Sequence, residues 1–158
     1  MTSGIAVFQG PEVFGTVRFE QTNFNVSIFI NLHGPGLKPN GEQGFHIHEF
    51  GDLSEGCKSA CAHYNPFGKS HGHPGISERH VGDLGNIQID LYGNVNYSTT
   101  DDVIQLFGEY SIIGRSLIIH ANRDDCGQGK NAESLKTGNA GERIACAVIG
   151  IARPFNHC

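Results

Sequence analysis

An all-β fold is predicted for this sequence: an eight-stranded antiparallel Greek-key barrel or sandwich with two long functional loops. Three observations lead there. Glycine supplies 22 of the 158 residues, about twice its usual share, while Trp is absent and Met occurs once. No segment of about 11 residues or more keeps a helical apolar period. Apolar residues alternate instead in short runs bounded by Gly, Pro, Asn and charged side chains. The length suits a single domain, residues 1–158, able to bury roughly 70% of the surface its unfolded chain would expose.

Residues 13–20 alternate around Val17 and Phe19, and Phe24, Val26, Ile28, Ile30 and Leu32 continue the pattern, so the two runs read as a strand pair. Pro35 with its flanking glycines and the Pro39, Asn40, Gly41 run supply turn chemistry: fixed φ at proline, tolerated positive φ at glycine or asparagine. A strand follows around His46 and His48. Leu84, Ile87, Ile89 and Leu91 lead to a turn at Tyr92, Gly93 and Asn94, and Val95 and Tyr97 lead out of it, which predicts a hairpin. Residues 103–107 and 117–120 are further short apolar runs. Residues 121–142 are polar and form a second long loop before residues 144–151 close the chain as a buried strand.

The chemistry concentrates between His46 and Asp83, where six of the nine histidines lie. His46 and His48 are two residues apart, so both rings leave one face of a strand while Phe45 and Ile47 leave the other. His63, His71, His73 and His80 are scattered through a loop rich in Gly, Ser and Pro, with Asp83 three residues after the last. Such a loop requires something to order it, and imidazoles at this density point to metal. Eleven Lys and Arg against sixteen Asp and Glu give a net charge of −5, which argues against a nucleic-acid partner and leaves only local positive patches. The first residues carry neither a basic nor an apolar signal region, and no apolar run is long enough to span a bilayer, so no membrane association is expected and the cytoplasm is the expected address. Five cysteines form no CxxC pair and would be free thiols in a reducing compartment.

Five ordered segments resemble the copper/zinc superoxide dismutases, cytosolic type: GFHIHEFGD (44–52), HYNP (63–66), RHVGDLGN (79–86), IIGRSLIIH (112–120) and GNAGERIAC (138–146). The resemblance spans essentially the whole chain. It implies that His46, His48, His63 and His120 hold copper, and that His63 bridges through its ring to a zinc held also by His71, His80 and Asp83. Four nitrogens suit copper(II), and three imidazoles with a carboxylate suit tetrahedral zinc. It implies an enzyme that dismutates superoxide by alternate reduction and reoxidation of copper, with zinc in a structural and tuning role.

By the same resemblance, Arg143 holds the superoxide anion and His63 releases copper and takes up a proton on reduction. Lys136 and Thr137 line the approach, and Asp124 joins a copper histidine to a zinc histidine. Cys57 and Cys146 form an intrasubunit disulfide. Phe50, Gly51, Ile113, Gly114, Val148 and Ile151 form the face of a homodimer, and a copper metallochaperone loads the metal. The sequence departs from the family pattern at Cys61, where a small residue is usual, and at Ala132, where an acid is common. Cys126 and Cys158 have no evident partner, His73 is a weak competitor for zinc, and the tail 153–158 runs past the usual end of the fold, its His157–Cys158 pair expected to fray rather than to bind metal. The alternatives are a copper metallochaperone or a silent metal-binding module of the same fold. The first predicts an extra thiol metal-binding domain and a CxC, and the second predicts loss of His120 or Arg143; this sequence shows neither.

Overall fold

The computed structural model describes residues 2–158. Eight strands form one strongly curved antiparallel sheet, a nearly closed barrel: β1 (Ser3–Gln9), β2 (Phe14–Gln21), β3 (Val26–His33), β4 (Glu42–His48), β6 (Asp83–Gln88), β7 (Asn94–Asp101), β8 (Ser116–His120) and β9 (Arg143–Ile151). A short β5 (Ser54–Cys57), a 3-10 turn (Lys58–Ala60) and a single helical turn α1 (Ser134–Thr137) sit in the loops. Around the barrel the order is β6, β4, β8, β9, β1, β2, β3, β7. The long crossovers between sequence neighbours are what a Greek key requires.

Alternation sets the inside and the outside. In β3, Val26, Ile28, Ile30 and Leu32 are buried while Phe29, Asn31 and His33 face solvent. These join Phe19, Phe45, Ile47, Ile87, Leu117, Ile119 and Ile149 in one core. Each such side chain contributes about 2 kcal/mol by leaving water.

Two expectations are corrected. The hairpin across Gly93 does not form: the turn is present, but β6 pairs with β4 and β7 with β3. Alternation marks a strand without naming its partner. The two unpaired edges are linked instead by the Gln88 N–H donating to Tyr97 Oη at 3.2 Å. Residues 103–107 are a loop that buries Ile104 and Leu106, because burial alone does not demand a strand. The start of the tail rests on β2: the Arg18 guanidinium stacks 4.3 Å from the Phe155 ring and donates to the Arg153 carbonyl at 3.2 Å.

What positions the site is the pairing of β4 between β6 and β8, with β9 beside β8. His46 lies opposite Asp83, and His120 opposite Arg143, each next to an irregularity in register. Such bulges re-aim side chains at the rim of a barrel. The end of the histidine-rich loop is anchored from below. Buried Arg79 donates to the carbonyls of Pro74, His80 and Val81 and pairs with Asp101 of β7 at 2.6 Å.

Candidate metal centre

Two donor sets converge at the rim where β4, β6, β8 and β9 meet. In the first are His46, His48, His63 and His120; in the second are His63, His71, His80 and Asp83; in each, all the donor atoms lie within 4.8 Å of one another and all four residues are buried. His63 belongs to both. Its Nδ1 lies 2.9 Å from Asp83 Oδ1 and 3.2 Å from His80 Nδ1, on the side of the second set. Its Nε2 is buried with no hydrogen-bond partner and serves the first.

Each ring of the first set is aimed by its other nitrogen. His48 Nδ1–H donates to the Cys61 carbonyl at 2.8 Å and His120 Nδ1–H to the Gly141 carbonyl at 3.0 Å, which leaves both Nε2 atoms inward and 3.4 Å apart. His46 Nε2 lies 2.6 Å from Asp124 Oδ2, so its Nδ1 turns inward, buried and unpartnered. Burial, reinforced by the neighbouring His63, pushes His46 down to about 3, and burial pushes His120 down to about 4. Burial likewise lowers His48 and His63. Four neutral imidazoles at pH 7 present four free lone pairs, the form that binds a metal ion.

The second set is organised around a carboxylate. Asp83 Oδ1 has the Nδ1 atoms of His63, His71 and His80 at 2.9, 2.9 and 3.1 Å, and its Oδ2 accepts the backbone N–H groups of Gly72 and His80. A tetrahedron built on zinc–ligand bonds of about 2.0–2.1 Å has edges near 3.3 Å, close to these separations. The His71 Nδ1 contact lacks hydrogen-bond alignment, which leaves that buried atom an orphan. Burial by itself would raise Asp83, but the three imidazoles hold it well below the usual carboxylate range. For His71, burial works against the charged form, yet Asp124 and Asp83 outweigh it and raise the ring to about 9.

Asp124 ties the sets together, its Oδ1 2.7 Å from His71 Nε2 and its Oδ2 on His46. Burial opposes its ionisation, and the two imidazoles overcome that and keep it an anion. Gly138 makes this approach possible: its φ is +70°, and a Cβ there would meet Asp124 Oδ1 and His71 Nε2. The residues missed in the sequence are the ones that hold backbone. Asn86 accepts from the Asp124 N–H at 2.7 Å and donates to the Asp124 carbonyl at 3.0 Å, and buried Gln43 donates to the His120 carbonyl at 2.8 Å. Asn86 ends one of the five family-like segments, 79–86, which was the available signal.

A cleft of about 880 Å³ reaches the first donor set, lined by His48, His63, His120, Arg143, Lys136 and Thr137 among others. Arg143 NH1 donates to the Cys57 carbonyl at 2.9 Å, and Cys57 is disulfide-bonded to Cys146 with Cα atoms 5.6 Å apart. Thus the disulfide strap also orients the arginine. A second cleft of about 820 Å³, between the tail and the outer faces of β2, β3 and β7, has no imidazole or carboxylate in its wall. Cys61 and Cys158 are exposed free thiols; Cys126 is half-buried, and burial raises it to about 11. His73 is exposed and belongs to neither donor set. Phe50, Val148 and Ile151 are 47, 42 and 81% exposed. Gly51 lies against the Gly114 carbonyl and Val148, and Gly114 N–H donates to the Ile149 carbonyl.

Residues 13–149 match the family described as copper/zinc superoxide dismutase. The chain belongs to that family. It is 57% identical over 156 residues to the superoxide dismutase [Cu-Zn] of Paramecium bursaria Chlorella virus 1, covering 99% of this chain and 81% of the relative. It is 51% identical over 153 residues to the enzymes of Humicola lutea and Schizosaccharomyces pombe, covering 96% of this chain and 100% and 99% of those. A crystal structure described as that of the clock protein EA4 superposes with a TM-score of 0.90 at 44% identity, covering 95% of this chain and 94% of that one. As a copper/zinc superoxide dismutase, the enzyme converts superoxide to dioxygen and hydrogen peroxide, and its cofactors are copper and zinc. The donor chemistry fits both ions: an all-nitrogen set with two buried orphan lone pairs for copper, and a carboxylate-centred set at tetrahedral spacing for zinc. Among the described residues no helix is long and apolar enough to cross a membrane.

Proposed function

We propose that His46, His48, His63 and His120 hold the copper of this dismutase and that His63, His71, His80 and Asp83 hold its zinc. The observation that carries this reading is the His63 ring, one nitrogen turned to each donor set. When bound, copper supplies a one-electron couple and zinc supplies fixed, redox-silent positive charge. Arg143 places a planar, always-charged donor in the same cleft, suited to holding a small anion by charge-assisted hydrogen bonds. His63 Nε2 takes up a proton while Nδ1 stays with the Asp83 side, and gives it up to the anion being reduced. Two superoxide anions and two protons thereby yield one dioxygen and one hydrogen peroxide.

Asp124 fixes the tautomers of His46 and His71, the role a carboxylate behind metal ligands usually has. Lys136 and Thr137 line the approach. Residues 1–158 act as one domain, supported by the single core. The exposed apolar surface of Phe50, Gly51, Ile113, Gly114, Val148 and Ile151 is the face of a two-fold dimer, a cytosolic metallochaperone supplies the copper, and the enzyme works in the cytoplasm. Arg143→Ala tests the substrate role: turnover should fall about tenfold or more while copper and zinc content measured on the same sample stays at one each. Unchanged turnover would remove Arg143 from the mechanism.

A further inference from the structure

Lys69 lies in the first long loop and lines the same cleft as His48, His63, His120 and Arg143. Its backbone is fixed from both sides by one side chain: Asn65 Oδ1 accepts the Lys69 N–H at 2.9 Å, and Asn65 Nδ2 donates to the Lys69 carbonyl at 2.9 Å. Its ammonium donates to the Ser77 carbonyl at 2.8 Å. An ammonium has three donors, so two remain for other partners. Lys136, in contrast, makes no side-chain hydrogen bond among the described residues. The wall thus carries three cations, Lys69, Lys136 and Arg143, against one carboxylate, Glu133. Glu133 is itself engaged, accepting from Thr137 Oγ1 at 2.8 Å. The local sign is opposite to the chain's net charge of −5.

We propose that Lys69 is a further substrate-guiding residue of the enzyme, and that Asn65 is its positioning residue. The inference rests on the copper-side reading above. A small anion is captured at a rate set by the potential in the mouth of the cleft, and a charge held in place acts without the loss of side-chain freedom that ordering it at each encounter would need. Lys69 supplies that charge from the loop carrying His63, His71 and His80, whereas Lys136 and Arg143 supply theirs from the second loop and β9.

The test uses the metal-loaded enzyme and the bimolecular rate of superoxide decay at ionic strengths of ~0.01 M and ~1 M, where the screening length is about 30 Å and about 3 Å. Lys69→Gln should slow the reaction about twofold and Lys69→Glu about fivefold at the lower ionic strength, and both should match the parent at the higher. Arg153→Gln removes the same charge from the tail and should leave the rate unchanged. Asn65→Ala should lose part of the low-salt rate and add nothing on top of Lys69→Gln. Lys69 variants equal to the parent at low salt, or slowed by one factor at both ionic strengths with metal content intact, would overturn the role of Lys69. Additive losses for Asn65→Ala would overturn its positioning role. A parent enzyme that is inactive with both metals bound would instead overturn the proposed function.

Discussion

The two donor sets touch through one ring, yet they are built in opposite ways. Three of the four first-set ligands sit on strands, His46 and His48 on β4 and His120 on β8, paired on both sides in the barrel wall. In the second set only Asp83 lies on a strand, at the first residue of β6, and His63, His71 and His80 hang on the loop between β5 and β6. That loop has no ladder of its own and is held by separate contacts, among them Tyr64 N–H donating to the Ile47 carbonyl, the buried Arg79–Asp101 pair, the His71 N–H donating to the Leu135 carbonyl, and Asp124. Strand-held donors draw their geometry from the barrel, whereas loop-held donors draw theirs from far fewer contacts. On the proposed assignment, zinc should therefore matter more to stability than copper does.

The sharpest way to break that contrast is to remove one ligand from each side. Asp83→Ala should abolish zinc binding and lower the unfolding temperature by about 10 °C or more. His48→Ala should weaken copper binding with a shift of only a few degrees. Calorimetry with metal analysis checks this, and equal shifts would erase the distinction.

A smaller effect is expected at the strap. Replacing Cys57 and Cys146 by serine releases a link across 89 residues and should cost about 4 kcal/mol in denaturant unfolding. It should also free the Cys57 carbonyl from orienting Arg143, so turnover should fall along with stability.

The smallest is a pH effect on the metal-free protein. His46 and His120 titrate at about 3 and about 4 in the fold but near 6.5 when unfolded, so between those values the unfolded chain binds more protons. Stability should therefore drop, by a few kcal/mol, as pH falls from about 6.5 toward 4. His71 has the opposite sign, since its folded value is raised to about 9 and its contribution, present below about 6.5, is lost as pH rises through 9. Urea unfolding of the metal-free chain at three pH values separates the two, and a flat profile would contradict both.

Much of this was legible in the sequence, for identifiable reasons. The i, i+2 spacing of His46 and His48 and the alternation in β3 follow from strand geometry alone and appear as expected. The five family-like segments carry His63, His80, Asp83 and His120, the resemblance over the rest of the chain adds His71 and Asp124, and the fold places all six together. What could not be read depends on partners. β1 passed unnoticed because Ile5, Ala6, Val7 and Phe8 are apolar on both faces and give no alternation. The hairpin across Gly93 fails because an apolar period does not encode which neighbour a strand takes. Asn86, Gln43 and Asn65 act on backbone atoms of residues 38, 77 and 4 positions away, and such bonds leave no trace in spacing.

The claim on which the rest depends is that one imidazole connects the two sites, and the copper(II) resonance spectrum tests it directly. Zinc added to the copper-loaded, zinc-free enzyme should change that spectrum in the parent and leave it unchanged in His63→Ala. A parent spectrum indifferent to zinc, with zinc shown to be bound, would contradict the shared ring.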